Sequence, residues 1–251
     1  MMKKILLTGM LLLSTLTITA CRQGNQSSNT SDSSTTQISG GKMDASQINA
    51  PQVGLSDDDW NNSLGTVSDG QDTNSENPAT RILTDDADSI VIYFSRSVST
   101  ELLASKVQAV SNADVLELMV LEPYSSNYGE TVERANEERE VDNDPVLNVD
   151  VPDLSQYQTV YLGYPIWGMT LAEPMASFLE EYGDELAGKT IAPFSTNGGY
   201  GLGSSVDRIA SIFSEQGVDA NITDAYEIEG NKVDQADASL LDWFEEIGTT
   251  N

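Results

Sequence analysis

The sequence predicts an α/β fold built on a mainly parallel sheet, and three observations carry that expectation. From residue 89 onward, short apolar runs alternate with segments whose apolar residues recur at helical spacing. The first run, Ile90-Val91-Ile92-Tyr93-Phe94, has no polar alternation, as expected of a strand covered on both faces. Residues 89–251 also match the size of one ordinary domain.

After that first strand the chain reads Ser95-Arg96-Ser97-Val98-Ser99-Thr100, with Leu102, Leu103, Val107 and Val110 at helical spacing behind it. The hydroxyl loop is therefore expected at a helix N-terminus, where free backbone N–H groups and the helix dipole favour an anion such as phosphate. The same hydroxyls also suit plain helix capping. Further strands are expected at 115–120, 158–162, 190–195 and 222–226. Helical faces between and after them are marked by Met175, Phe178, Leu179 and Tyr182, by Val206, Ile209 and Phe213, and by Leu240, Leu241, Phe244 and Ile247. The stretch 121–154 breaks the rhythm with Tyr124, Tyr128 and a charged segment placing Glu130, Arg134 and Glu138 four apart. It is expected to be a solvated surface excursion.

Upstream, Lys3 and Lys4 precede an apolar run from Ile5 to Ile18, the pattern of a secretory signal over residues 1–20. The run is too short to span a bilayer comfortably. Ile18-Thr19-Ala20-Cys21 resembles the lipobox of bacterial lipoproteins, which implies cleavage before Cys21 and a lipid on that residue. Residues 21–88 are expected to be a disordered tether. Between Arg22 and Thr80, 43 of 59 residues are Ser, Thr, Asn, Gln, Gly or Asp, too few apolar groups to offset the entropy of ordering. A coil of that length has a typical end-to-end distance of roughly 40 Å. Leu55, Trp60 and Leu64 around Asp57-Asp58-Asp59 fit one short docked helix. The expected location is the extracytoplasmic face of the cell membrane, held by the lipid alone.

Composition limits the chemistry. Loss of Lys3 and Lys4 with the signal takes the formal charge from −28 to −30, a field that repels nucleic acid and anionic membranes and attracts a basic partner surface. There is no histidine, which excludes Ser-His-Asp and Cys-His catalysis and histidine-ligated metals. Cys21 is the sole cysteine, so the chain forms no internal disulfide. Chemistry is therefore expected from a cofactor, with no metal.

In open α/β sheets, ligands bind outside the carboxyl ends of the strands, so the loops leaving the first, third and fourth strands should share a crevice. The third strand leads into Gly163-Tyr164-Pro165-Ile166-Trp167-Gly168-Met169-Thr170, the fourth into Thr196-Asn197-Gly198-Gly199-Tyr200-Gly201-Leu202-Gly203. Trp167 and Tyr200 are aromatics beside glycines that let backbone approach a ligand. Taken singly, Trp167 also suits a core, Tyr200 a surface, and the glycines plain turns. Together with the hydroxyl loop they favour a ligand with a flat ring and a phosphate.

The combination of Tyr93-Phe94-Ser95-Arg96-Ser97, Leu162-Gly163-Tyr164-Pro165-Ile166-Trp167-Gly168 and the run from Gly188 to Ser205 closely resembles the flavodoxin-like family, across essentially all of 89–251. The resemblance implies a doubly wound five-stranded sheet in the order 2-1-3-4-5, for which flavodoxin is a standard example, and FMN as ligand. It implies that Ser95, Ser97, Ser99 and Thr100 hold the FMN phosphate, with Arg96 adding charge. Pro165, Ile166, Trp167, Gly168 and Met169 would flank one side of the isoalloxazine, and Thr196, Asn197, Gly198, Gly199, Tyr200 and Gly203 the other. Gly168 matches the family's glycine whose peptide reorients on flavin reduction. One departure stands out. The family's first loop commonly reads Ser/Thr-x-Thr-Gly-Asn-Thr, whereas the glycine and asparagine positions here are Val98 and Ser99. A left-handed backbone at Val98 would be strained, which counts against tight wrapping of a phosphate.

Three functions remain open on the sequence: a lipid-tethered extracytoplasmic FMN electron carrier with a basic redox partner, an FMN-dependent quinone or NAD(P)H oxidoreductase, and a flavin-free binding module. For the first, the acidic shell is expected to disfavour an anionic reduced flavin.

Overall fold

The computed structural model describes residues 36–37, 41–60, 78–141 and 144–249. These lie within one compact unit, Ser34–Asn251. The expected signal peptide, Cys21 and Leu64 fall outside the described residues.

The chain enters through β1 (Thr36–Gln37), the short helix α1 (Asp57–Trp60) and β2 (Thr80–Ile82), then reaches β3 (Ser89–Tyr93), whose five residues are all buried. Successive side chains of β3 point to opposite faces. Ile90 and Ile92 join one apolar cluster, and Val91 and Tyr93 join another. After β3 come α2 (Ser99–Ser111), β4 (Asp114–Glu117), α3 (Tyr128–Val141), β5 (Thr159–Trp167), β6 (Thr170–Leu171) and α4 (Glu173–Tyr182). They are followed by β7 (Thr190–Asn197), α5 (Ser205–Gln216), β8 (Asn221–Ile222), β9 (Tyr226–Glu229) and α6 (Asp237–Glu246). Met175 and Phe178 of α4 with Ile209 and Phe213 of α5 close the first cluster. Leu103 and Val107 of α2 with Leu240 and Phe244 of α6 close the second. Helices on both faces explain why β3 has no polar alternation, and they make this a doubly wound α/β sheet.

The parallel part of the sheet runs β4-β3-β5-β7, with Ile92 opposite Leu116 on one side and Leu162 on the other. The outermost position is divided. β8 pairs with Thr190 and Ile191, and β9 with Phe194 to Asn197. The strand expected at 222–226 is thus replaced by two pieces, with residues 223–225 between them.

Three other expectations shift. β5 does not end at Leu162 but continues through Pro165 to Trp167, and β7 extends through Thr196 and Asn197, so much of two expected loops is strand. Gly163 permits this continuation, because a Cβ there would overlap the ring of Phe194 and come within 2.9 Å of Tyr93 Cβ. β4 stops at Glu117, and Val120 makes an isolated bridge to Leu147. On α6, Leu241 is exposed and Trp243 is buried in its place, since the covered arc passes through residues 240, 243, 244 and 247.

The stretch 121–154 is not a purely solvated excursion. Tyr124 is in the first core cluster, packed edge-on against Phe94 and Trp167 at 5.9 and 5.0 Å between ring centroids. Its hydroxyl donates to Glu138 Oε2 at 2.6 Å, and Arg134 lies 4.1 Å over its ring. The spacing that reads as a solvated helix is also a Tyr124 clamp, in which Arg134 pairs with the buried Glu138 at 2.7 Å. The expected tether is likewise structured in part. Trp60 and Gln52 are buried, and β2 pairs antiparallel with β4, so the ordered unit begins well before residue 89.

At the carboxyl end of β3 and β4, Glu117 Oε2 accepts from Thr80 N at 2.8 Å, beside the buried Tyr93 and the first-turn Glu101 of α2. Burial, and then the Glu117 charge, push the Glu101 carboxyl up from 4.5 to about 8. The folded chain therefore keeps a proton that the unfolded chain releases, so this group's contribution to stability falls as pH rises through that window. Glu101→Gln should be the more stable protein at about pH 8, by about 1 kcal/mol or more, with the advantage shrinking toward about pH 5. Urea unfolding of both proteins at the two pH values checks this.

Candidate functional site

A cleft of about 310 Å³ opens at the carboxyl ends of β3, β5 and β7, at the small end of the roughly 300–1,000 Å³ typical of small-molecule pockets. Its floor and sides come from the three expected loops. Its remaining wall is α3.

The first loop begins α2. Val98 stands immediately before the helix with φ 70° and ψ −16°, a left-handed conformation that a β-branched residue adopts only under strain. It is 2% exposed, and its carbonyl accepts from Leu102 N at 2.9 Å. The glycine-like turn is thus made without glycine. Burying a valine side chain contributes about 1.5–3 kcal/mol, comparable to the roughly 1–3 kcal/mol such a conformation costs. The loop's hydroxyls have different surroundings. Thr100 Oγ1 is 2.8 Å from Thr196 Oγ1, Ser97 Oγ donates to Gln52 Oε1 at 3.3 Å, and Ser99 Oγ is buried with no hydrogen-bond partner. Arg96 reaches across to Ser125 O at 2.7 Å and to Thr131 Oγ1 at 3.0 Å, which ties this loop to α3.

The second loop is a two-residue hairpin joining β5 to β6. Trp167 pairs with Thr170, and Gly168 and Met169 between them have φ of 56° and 67°, the two left-handed residues that a type I′ turn needs. Met169 O accepts from Ser204 N at 2.8 Å, and a Cβ on Gly203 would overlap that carbonyl. Gly203 thus permits the close approach of the two backbones. Trp167 packs edge-on to Phe94 at 5.5 Å, so its ring is set by the core while its edge faces the cleft.

In the third loop Asn197 Oδ1 accepts from Gly199 N at 2.7 Å, and Asn197 Nδ2 donates to Glu227 Oε2. The side chain imitates a backbone turn and ends β7. Beyond it, Tyr200 is 66% exposed and available to cover a ligand.

Of the residues singled out from sequence, Arg96, Ser97, Pro165, Ile166, Trp167, Gly168, Met169, Asn197, Gly198 and Tyr200 line the cleft. Ser95, Ser99, Thr100 and Thr196 are buried behind it, and Gly199 and Gly203 shape turns beside it. Sequence reasoning missed the wall contributed by α3: Tyr128, Thr131, Val132, Ala135, Asn136 and Arg139. The helical spacing of Glu130, Arg134 and Glu138 announces the helix. No signal tells that its other face turns to the cleft.

Arg139 is the most consequential of these. A Cβ on Gly168 would lie 2.8 Å from its guanidinium carbon, so the charge rests directly on the hairpin. Behind it, the fully buried Glu173 pairs with Arg139 at 3.7 Å and forks onto Arg208 at 2.9 and 2.6 Å. Nearby, burial, then Glu180, push the Asp144 carboxyl up to about 7. The charged side chains that line the cleft are thus two arginines, Arg96 and Arg139, in a strongly acidic protein.

At Val98 the ordinary helical ranking of alanine over glycine should reverse. Val98→Ala loses the two buried γ-methyl groups and keeps the left-handed strain, whereas Val98→Gly loses the whole side chain and relieves it. The alanine variant should be the less stable of the two by roughly 1 kcal/mol in urea unfolding.

A family model described as flavodoxin matches residues 88–247. A candidate flavoprotein from Bacteroides eggerthii superposes with a TM-score of 0.53 at 24% identity, over 65% of this chain and 99% of that one. A flavoprotein in complex with FMN from Lactobacillus acidophilus superposes with a TM-score of 0.50 at 20% identity, over 64% of this chain and 99% of that one. A candidate flavoprotein from Bacteroides uniformis gives 0.53 at 20% identity, over 62% and 99%. At these identities the superpositions establish the fold. No curated protein sequence matches the chain. With the family match spanning most of its length, the doubly wound sheet and the cleft at its carboxyl edge belong to a member of the flavodoxin family.

Proposed function

We propose that this protein is a flavodoxin-type FMN protein that passes electrons to a partner with a basic docking surface, exported and held at the membrane by a lipid on Cys21. The observation that carries the flavin part is the convergence of three loops on one cleft: a helix N-terminus with hydroxyls, a glycine hairpin edged by Trp167, and an Asn-Gly-Gly turn leading to Tyr200. An FMN complex in a relative of the same fold supports it. The anchor rests on the sequence alone, on the lipobox-like Ile18-Thr19-Ala20-Cys21 and the polar stretch that follows.

The residues fit the cofactor. The first-turn amides of α2 have no partners within their own helix and suit a phosphate, and the buried Ser99 Oγ beside them lacks a hydrogen bond. Val98 does not block the loop, since it already adopts the conformation that glycine would take. FMN supplies the redox chemistry when bound. The chain's own groups orient and shield it: the Gly168–Met169 turn offers backbone groups at one edge, Trp167 and Tyr200 exclude water, and Arg96 and Arg139 hold positive charge in the cleft.

A second reading, an FMN-dependent NAD(P)H or quinone oxidoreductase, is favoured by α3, whose side chains add a wall to the cleft beyond the three loops. Titration of the purified chain with FMN, followed by flavin fluorescence, should show quenching and saturation at micromolar protein. An unchanged flavin signal would remove both readings. Given binding, steady-state oxidation of NADH with a quinone separates them, with negligible turnover expected for a carrier.

A further inference from the structure

The family match begins at residue 88, yet a segment from outside it touches the phosphate loop. Residues 41–60 run from the last turn of α2, at Gln108, to the loop before its N-terminus, at Ser97, and are fastened at several points. Gly54 N donates to Asn231 O at 2.8 Å, and Asn231 Nδ2 returns a bond to Leu55 O at 3.0 Å. Lys232 pairs with Asp57 at 3.1 Å, and Met43 N donates to Gln108 Oε1 of α2 at 2.7 Å. Trp60, 3% exposed, is seated on Gly230, where a Cβ would stand 2.8 Å from its ring and 3.4 Å from Ser99 Cβ. Apart from its exposed faces, the segment therefore behaves as a docked strap.

Its contact with the site is Gln52. This side chain is 7% exposed, and its Oε1 accepts the hydroxyl of Ser97, which lines the cleft. A serine hydroxyl has one proton to donate, and an ionised phosphate oxygen only accepts. With Gln52 Oε1 facing it, Ser97 gives its one proton to Gln52 and has none for a phosphate. Trp60 and Ser99, which carries the other hydroxyl at the start of the helix, both border Gly230.

We propose that residues 41–60 form a strap that competes with a ligand's phosphate for the Ser97 hydroxyl, making Gln52 the residue that sets affinity for the phosphorylated end of the ligand. The proposal rests on the FMN reading above. It assigns to the segment ahead of the flavodoxin domain a role in ligand binding beyond that of a spacer, and it predicts that loosening the strap tightens the grip on phosphate.

The test compares FMN with riboflavin, which has the same ring system and no phosphate, on the full chain and two variants. Gln52→Ala frees the Ser97 proton and should tighten FMN binding by about three- to tenfold, with riboflavin changed by less than about twofold. Gly230→Ala changes no residue that lines the cleft, pushes on the Trp60 ring and brings its methyl to ordinary contact with Ser99. It should tighten FMN in the same direction and shift tryptophan fluorescence to the red as Trp60 leaves its seat. The strap inference is overturned if Gln52→Ala leaves FMN affinity unchanged or weakens it, or if riboflavin tightens equally. Should the unmodified chain bind neither flavin, the proposal falls together with the FMN reading. FMN binding that ignores Gln52 leaves that reading standing and removes only the strap.

Discussion

Helix α2 starts where it does, beside the cleft that Ser97 lines, because the chain turns left-handed at Val98 as it leaves β3. A residue in the ordinary helical or extended region would carry the loop elsewhere, and Ser97 would no longer line the cleft. The conformation is costly for a branched side chain. It persists because the surroundings over-determine it: Val98 is buried, its carbonyl starts the helix, and Thr100 is bonded across to Thr196 on β7. On the preceding residue, Ser97 is bonded to Gln52 of the strap. Strain at one residue is thereby offset by its own burial and by bonds that fix the residues on either side.

The hairpin at Gly168 and Met169 shows a related economy of space. Its carbonyl is gripped by Ser204 N, and the grip is possible only because Gly203 lacks a side chain. Two of the three cleft loops are therefore bound to each other before any ligand arrives, which favours a site that needs little reordering on binding. Arg139 braces the hairpin from α3, and Glu173 braces Arg139 and Arg208 from below. In a protein of net charge −28, the charged side chains lining the cleft are two arginines, Arg96 and Arg139.

Much of the architecture was legible in the sequence, because unbroken apolar runs and helical spacing report burial directly. Ile90 to Phe94 could only be a covered strand, and Phe178, Ile209 and Phe244 each mark a buried helix face. Legibility failed where tertiary contacts override local pattern. Tyr124 and Glu138 look solvated in sequence and are buried, since each supplies what the other lacks. Pro165 to Trp167 look like loop and are strand, since Gly163 lets β5 slide past Phe194. Within the site, the glycine- and hydroxyl-bearing loops were visible because backbone chemistry dictates residue type there. Arg139 and Gln52 were not, because a long side chain reaching in from another element leaves no spacing signature.

All of this converges on one structural claim, that a phosphate sits on the N-terminus of α2 while a flat ring lies between the β5 and β7 loops. A crystal structure of the protein grown with FMN tests it most directly. The account predicts phosphate oxygens within hydrogen-bond distance of Ser97 and the amides that follow Val98, with the ring bordered by Trp167 and the Gly168–Met169 turn. An FMN-saturated crystal with that cleft empty, or with the cofactor seated elsewhere on the sheet, would contradict it.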